Sequence, residues 1–175
     1  MKDKSITPTS VERVMREEDF IVSKTDLAGR ITYGNRIFQE FAGYSEEELL
    51  GSQHNIVRHP DMPRAAFQLA WSTIQAEQEF FAFVKNMAKD GSFYWVFTHI
   101  TPSYDRNGKV IGYLSVRRKP NQAAVELISG VYQQMCDIEK RVGPKDGIAA
   151  STQFLLDIIE EKGTTYEQLI LALQG

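Results

Sequence analysis

Three alternating apolar stretches separated by tight turns restrict the fold of this chain more than any other feature. Phe80 to Asn86, Phe93 to Thr101 and Val110 to Lys119 each read as a strand, with Phe93, Trp95 and Phe97 alternating against Tyr94, Val96 and Ile100. Lys89-Asp90-Gly91 and Asp105-Arg106-Asn107-Gly108 turn the chain between them, and Pro120 closes the last strand. Phe20 to Lys24 and Arg30 to Tyr33, joined through Asp26-Leu27-Ala28-Gly29, form an earlier hairpin. Between the two sets lie helical signals. Asn35 precedes a segment with Ile37, Phe38 and Phe41 on one side. Ser45 and Glu48 form a capping box, with Gly51 as the stop. Beyond Asp61, Ala66, Phe67, Ala70, Trp71 and Ile74 repeat at helical spacing. Strands split two and three by a helical crossover predict a five-stranded antiparallel sheet with helices on one face, an α+β sandwich.

This unit covers residues 19–120. Residues 1–18 are polar and read as a flexible lead with a short helix over Val11 to Glu18. Residues 121–175 read as a helical extension. Val125, Ile128, Tyr132, Met135 and Ile138 stripe a first helix that Gly143-Pro144 ends. Phe154, Leu155, Ile158 and Ile159 mark a second helix, ending at Gly163. Thr164 and Glu167 form a capping box for a third, which carries Leu169, Ile170 and Leu173. Such short helices are marginal alone, so they are expected to pack on their own sheet, with docking onto another protein as the alternative.

A net charge of −3 argues against a nucleic-acid binder. No apolar run reaches membrane-spanning length and the N-terminus lacks a secretory core, which points to a cytoplasmic protein working at a membrane only through a partner. A lone cysteine, Cys136, excludes an internal disulfide framework and a thiolate metal cage. No HExxH, GxSxG, Walker A or GxGxxG pattern is present, so neither an enzyme nor a metal site is expected.

Ligand binding is better supported. The run His54-Asn55-Ile56-Val57-Arg58-His59-Pro60-Asp61-Met62-Pro63 leads into the longest helix of the crossover. Arg58 and His59 beside the free N–H groups of a helix N-terminus suit a phosphate. Asp61 as a simple N-cap with Pro63 in the first turn accounts for the run equally well. Phe67 and Trp71 face inward, towards strands bearing Phe83, Trp95 and Phe97. Asn35 lies at a strand-to-helix junction, and Asn86 lies on an otherwise apolar strand. Buried amides need partners, and a planar heterocycle with donors and acceptors, such as a flavin, would supply them. A helix cap for Asn35 and a solvent-facing edge for Asn86 are the plainer alternatives.

The chain resembles the PAS sensor domains of bacterial aerotaxis and energy-taxis proteins. The matching stretches are Ser23 to Leu27, Gly43 to Leu49, His54 to Pro63, Val84-Lys85-Asn86, Tyr94-Trp95-Val96 and Gly112 to Arg117, within residues 19–120. The resemblance implies a PAS fold that binds FAD noncovalently and reports redox state to a membrane-bound, methyl-accepting chemotaxis-type transducer. It places Arg58, His59 and Asp61 around the FAD phosphate and ribose, Asn35 and Asn86 at the pocket with Asn86 on the flavin's polar edge, and Phe67 and Trp71 on the pocket wall. Phe80 stands where family members often carry tryptophan, and Ala82 where glycine is usual. Phenylalanine can still stack but lacks the indole N–H. A homodimer through the lead or the Val125 stripe fits the family habit. A haem gas sensor using His54 or His59, and a ligand-free interaction module, are the competing expectations. Cysteinyl-flavin photochemistry would need Cys136 brought back from the tail.

Overall fold

The computed structural model describes residues 6–175. The five strands are β1 (Ile21–Thr25), β2 (Ile31–Gly34), β3 (Phe80–Met87), β4 (Phe93–Tyr104) and β5 (Val110–Arg118). They form one antiparallel sheet in the order β2-β1-β5-β4-β3. The crossover comprises α1 (Arg36–Ala42), α2 (Glu46–Leu49), a 3-10 turn (His54–Val57) and α3 (Arg64–Gln75). The tail carries α4 (Gln122–Val142), α5 (Gly147–Glu161) and α6 (Tyr166–Gln174). The α+β architecture is the one read from the strand and turn pattern.

Local chemistry sets the element ends. Ser45 and Glu48 make the expected reciprocal capping box on α2. Gly43 ends α1 at φ 70°, a conformation that costs a residue without a Cβ little. The box on α6 falls one residue later than expected, on Thr165 and Gln168.

Two side-chain sets fill the two faces of the sheet. Phe38, Ile21, Ile31, Leu49, Tyr94 and Val96 pack under the crossover. Phe83, Trp95 and Phe97 point the other way and are covered by Ala124, Ile128 and Tyr132 of α4 and Ile170 of α6. The tail therefore folds back on its own sheet.

The tail and the run before α3 together protect β3, whose strand neighbour is β4 alone and whose other edge would otherwise show bare backbone groups. The Tyr132 hydroxyl donates to the Phe83 carbonyl at 2.9 Å. The Lys85 N–H points at Met62 Sδ at 3.3 Å, and Arg58 forms a backbone bridge with Asn86.

The lead departs from expectation. Residues 11–18 form no helix. The Phe93 N–H donates to the Val11 carbonyl at 2.9 Å, and the Arg13 N–H donates to the Phe93 carbonyl at 2.8 Å. Met15 is buried in the core beside Ile21 and Phe38. Pairing with the start of β4 satisfies backbone groups that an isolated helix of eight residues could not hold against its nucleation cost. The part of the expected flexible lead that falls on residues 1–5 lies outside the described residues.

Candidate functional site

A cavity of about 190 Å³ lies between the sheet and the crossover. A single water needs only ~10–15 Å³, so this space is not a packing defect. Alternation on the strands builds its floor. Phe80, Ala82, Val84 and Asn86 of β3, Thr98 and Ile100 of β4, and Tyr113, Ser115 and Arg117 of β5 share the inner face. Ala66, Phe67, Ala70, Trp71 and Ile74, one stripe of α3, make the opposite wall. The 3-10 turn and the residues around it add Gln53, His54, Asn55, Val57 and Arg58.

The Trp71 indole meets Tyr113 edge-on at 5.8 Å. Gly29, at φ +76°, lies under it: a Cβ there would fall 2.9 Å from the indole carbons. The β1–β2 turn thus forms a shelf for Trp71. Phe80 also lines the cavity and stacks on Tyr166 of α6 at 5.6 Å.

Four of the seven residues singled out from the sequence meet here: Arg58, Phe67, Trp71 and Asn86. The bridge across the β3 edge brings Arg58 and Asn86 side by side. The Arg58 guanidinium lies 4.2 Å over the Phe67 ring, and its Nη2 donates to the Met62 carbonyl at 3.2 Å. Burial pulls Arg58 below its ordinary pKa.

The other three do not line the cavity. Asn35 is the N-cap of α1: its Oδ1 accepts from the Phe38 and Val22 N–H groups at 3.0 Å each, and its Nδ2 donates to the Phe20 carbonyl at 2.7 Å. The amide is consumed in joining β1 to α1. His59 is buried against Phe93, and its Nδ1 accepts from the Asp61 N–H at 3.1 Å. Asp61 turns outward and pairs with Lys85 at 2.7 Å. It is not the cap of α3 either, since that helix starts at Arg64 behind Pro63. Glu139 of α4 caps it instead. Its carboxylate accepts from the Arg64 N–H (3.0 Å), the Ala65 N–H (2.9 Å) and Arg64 Nε (3.0 Å).

Asn35→Ala separates cap from ligand contact. It is expected to cost ~1–2 kcal/mol in urea unfolding while leaving ligand retention unchanged under native conditions. Retained stability with lost ligand would return Asn35 to the site.

Residues not foreseen complete the floor. Arg117 is fully buried; its Nη2 lies 2.7 Å from Ser23 Oγ and 2.7 Å from His54 Nε2. Desolvation, with the Arg117 charge adding to it, drives His54 down to about 3, so it is neutral at physiological pH. The Arg117 pKa falls to about 10 through burial, which leaves it charged. Arg117 Nη1, Ser115 Oγ and Thr98 Oγ1 are buried without hydrogen-bond partners among the described residues. All three residues line the cavity. For Ser115 and Arg117 the signal is the period-two set Tyr113, Ser115, Arg117, too polar for a plain core face. Cys136 of α4 directs its Sγ at the Asp61 carbonyl at 3.3 Å and does not line the cavity. Among the described residues no group of three His, Cys, Asp or Glu is placed to hold a metal ion, and no helix is long and apolar enough to cross a membrane.

Five strands in the order 2-1-5-4-3, with a helical crossover facing a cavity, meet a direct match: residues 31–117 fit the PAS fold family model. Residues 31–117 form a PAS domain. The chain is 36% identical over 121 residues to the aerotaxis receptor of Escherichia coli, an alignment covering 69% of this chain and 24% of that protein. It is 30% identical over 105 residues to a nitrogen fixation regulatory protein of Klebsiella pneumoniae, covering 60% of the chain and 21% of the relative. The chain thus spans less than a quarter of the length of these curated relatives. Among solved structures, a light-oxygen-voltage domain studied with a flavin analogue superposes at TM-score 0.56 and 22% identity, over 66% of this chain and 86% of the other. That likeness establishes the shared PAS architecture.

Proposed function

We propose that this PAS domain binds FAD noncovalently and passes the flavin's redox state by protein contact to a chemotaxis-type, methyl-accepting transducer. The observation that carries the reading is the cavity's composition. Among the described residues lining it are two arginines, two asparagines and unpartnered hydroxyls between aromatic walls, and none is aspartate or glutamate. Such a site suits a planar ring with hydrogen-bonding edges and a negatively charged tail. The kinship with an aerotaxis receptor supports the same direction.

On this reading Phe67, Trp71 and Phe80 hold the ring, and Asn86 offers its amide, which makes no hydrogen bond to the described residues, to a ring edge. Arg58, half-buried beside Asn86, meets the anionic tail. His59 and Asp61 act through the backbone shape of the loop rather than by touching the ligand. The bound flavin would supply reversible electron acceptance; the chain's part is to read it. Asn86 can present either its oxygen or its NH₂, and any shift is passed along β3 to Tyr132 and Tyr166, which touch Phe83 and Phe80. The protein works as a sensor and not as a catalyst. Its place in the cytoplasm, opposite a membrane-bound transducer, belongs to the same proposal, as does a homodimer.

The haem reading fares worse on geometry. A ligating imidazole must direct a ring nitrogen at the iron. His54 Nε2 is engaged by Arg117 and Ser23, and His59 lies outside the cavity lining.

Heat denaturation of the purified protein, followed by chromatography of the released small molecules, tests the reading. FAD in about equimolar yield supports it. A colourless protein that takes up no flavin rejects it, and a Soret band would favour haem.

A further inference from the structure

Arg117 is a cation at the bottom of the cavity, and no acid among the described residues neutralises it. Ser23 and Tyr94 face it from β1 and β4, His54 from the 3-10 turn, and the Phe38 ring from α1 at 5.3 Å. None of these carries a negative charge at neutral pH, because His54 and Tyr94 are both held neutral by burial. Arg58 adds a second positive charge to the same cavity wall. A buried guanidinium normally sits beside a carboxylate, because an unpaired buried charge costs several kcal/mol. Here one terminal nitrogen is satisfied by Ser23 and His54. The other, Nη1, has no hydrogen-bond partner among the described residues and belongs to a residue that lines the cavity.

Thr98, the register neighbour of Arg117 on β4, and Ser115, two residues before it on β5, bring unpartnered hydroxyls to the same floor. A hydroxyl can donate or accept, but a guanidinium only donates. The ligand must therefore present acceptors to this floor, and negative charge on them is favoured.

We propose that Arg117 is the residue that stabilises the negatively charged reduced form of the bound ring, and so sets the proton count and potential of the sensor. This rests on the flavin reading above. In the proposed step the oxidised ring gains two electrons from an external reductant and one proton from solvent, leaving a monoanion. The second proton, which free reduced flavin takes up in mild acid, stays in solution because the neutral form would surrender the interaction with Arg117. The role is separate from that of Arg58, which meets the ligand's anionic tail whatever the redox state.

The test is a spectroelectrochemical titration of the flavin-loaded protein, with dithionite as reductant, repeated over mildly acidic to neutral pH. One proton per two electrons gives a slope of about 30 mV per pH unit, and two protons give about 59 mV. The wild type is expected to keep the shallow slope at mildly acidic pH, where free flavin in the same buffer shows the steep one. In Arg117→Gln the slope should become steep, and the reduced anion should lose about a hundredfold in relative stability, a fall of about 59 mV in midpoint. A wild-type slope equal to that of free flavin overturns the assignment while leaving the flavin reading intact, and this needs no variant to fold. So does an Arg117→Gln protein that retains flavin at an unchanged midpoint. A wild-type protein that neither carries nor takes up flavin overturns both.

Discussion

Replacing Glu139 with alanine is expected to cost about 3 kcal/mol of stability and to loosen the cavity as well. The Glu139 carboxylate is buried and accepts three hydrogen bonds at the start of α3, two from backbone N–H groups. A helix cap is worth ~1 kcal/mol, a favourable charge–dipole contact in a partly buried setting up to ~2, and buried donors left bare cost more. Because Pro63 provides no side-chain cap, nothing else on the loop substitutes. Urea unfolding should show a lower midpoint with an unchanged slope, and Glu139→Gln should recover part of the loss. Ligand retention should fall too, since α3 carries Phe67 and Trp71. A loss under about 1 kcal/mol would mean that water or Arg64 rearrangement serves those N–H groups equally well.

Acid is expected to destabilise the fold well before the carboxylates protonate. His54 has a folded pKa of about 3 against an ordinary 6.5. The unfolded chain therefore binds this proton first. Its contribution is complete above about pH 6.5 and declines as pH falls, by up to ~1.4 kcal/mol per unit and roughly 4 kcal/mol by pH 3. Between about pH 5 and 6.5 few carboxylates titrate, so the slope there belongs mainly to histidine. Asp90, held at about 2 by hydrogen bonds from Ser92 and Arg13, enters only at lower pH. Chemical denaturation at stepped pH measures this. His54→Gln, which keeps an acceptor for Arg117, should flatten the window. If the slope persists in that variant, His54 is not its source.

The sheet was legible because period-two alternation and the Lys89-Asp90-Gly91 turn are local signals. So was the inner stripe of α3, and with it Phe67 and Trp71. What failed were residues whose role is set by distant partners. Asn35 at a strand-to-helix junction suits a cap or a ligand contact equally, and only the positions of Phe20 and Val22 decide for the cap. Three candidates in the run before α3 looked equivalent, yet the bridge between Arg58 and Asn86 turns Arg58 in and leaves Asp61 facing Lys85. Glu139 could not be recognised as a cap 75 residues from its helix. Arg117 is legible by the same alternation, since its period-two spacing from Tyr113 and Ser115 puts it on the inner face.

The shelf beneath Trp71 has a mechanical consequence. A methyl group at position 29 would collide with the indole, and at φ +76° it would also strain the backbone. Position 29 thus works as a clearance gauge, fixing how deeply the long crossover helix can settle towards the first hairpin. Any motion that lowers or rotates that helix must carry the hairpin tip along with it, so events inside the cavity have a mechanical outlet at the far rim of the sheet, away from the tail.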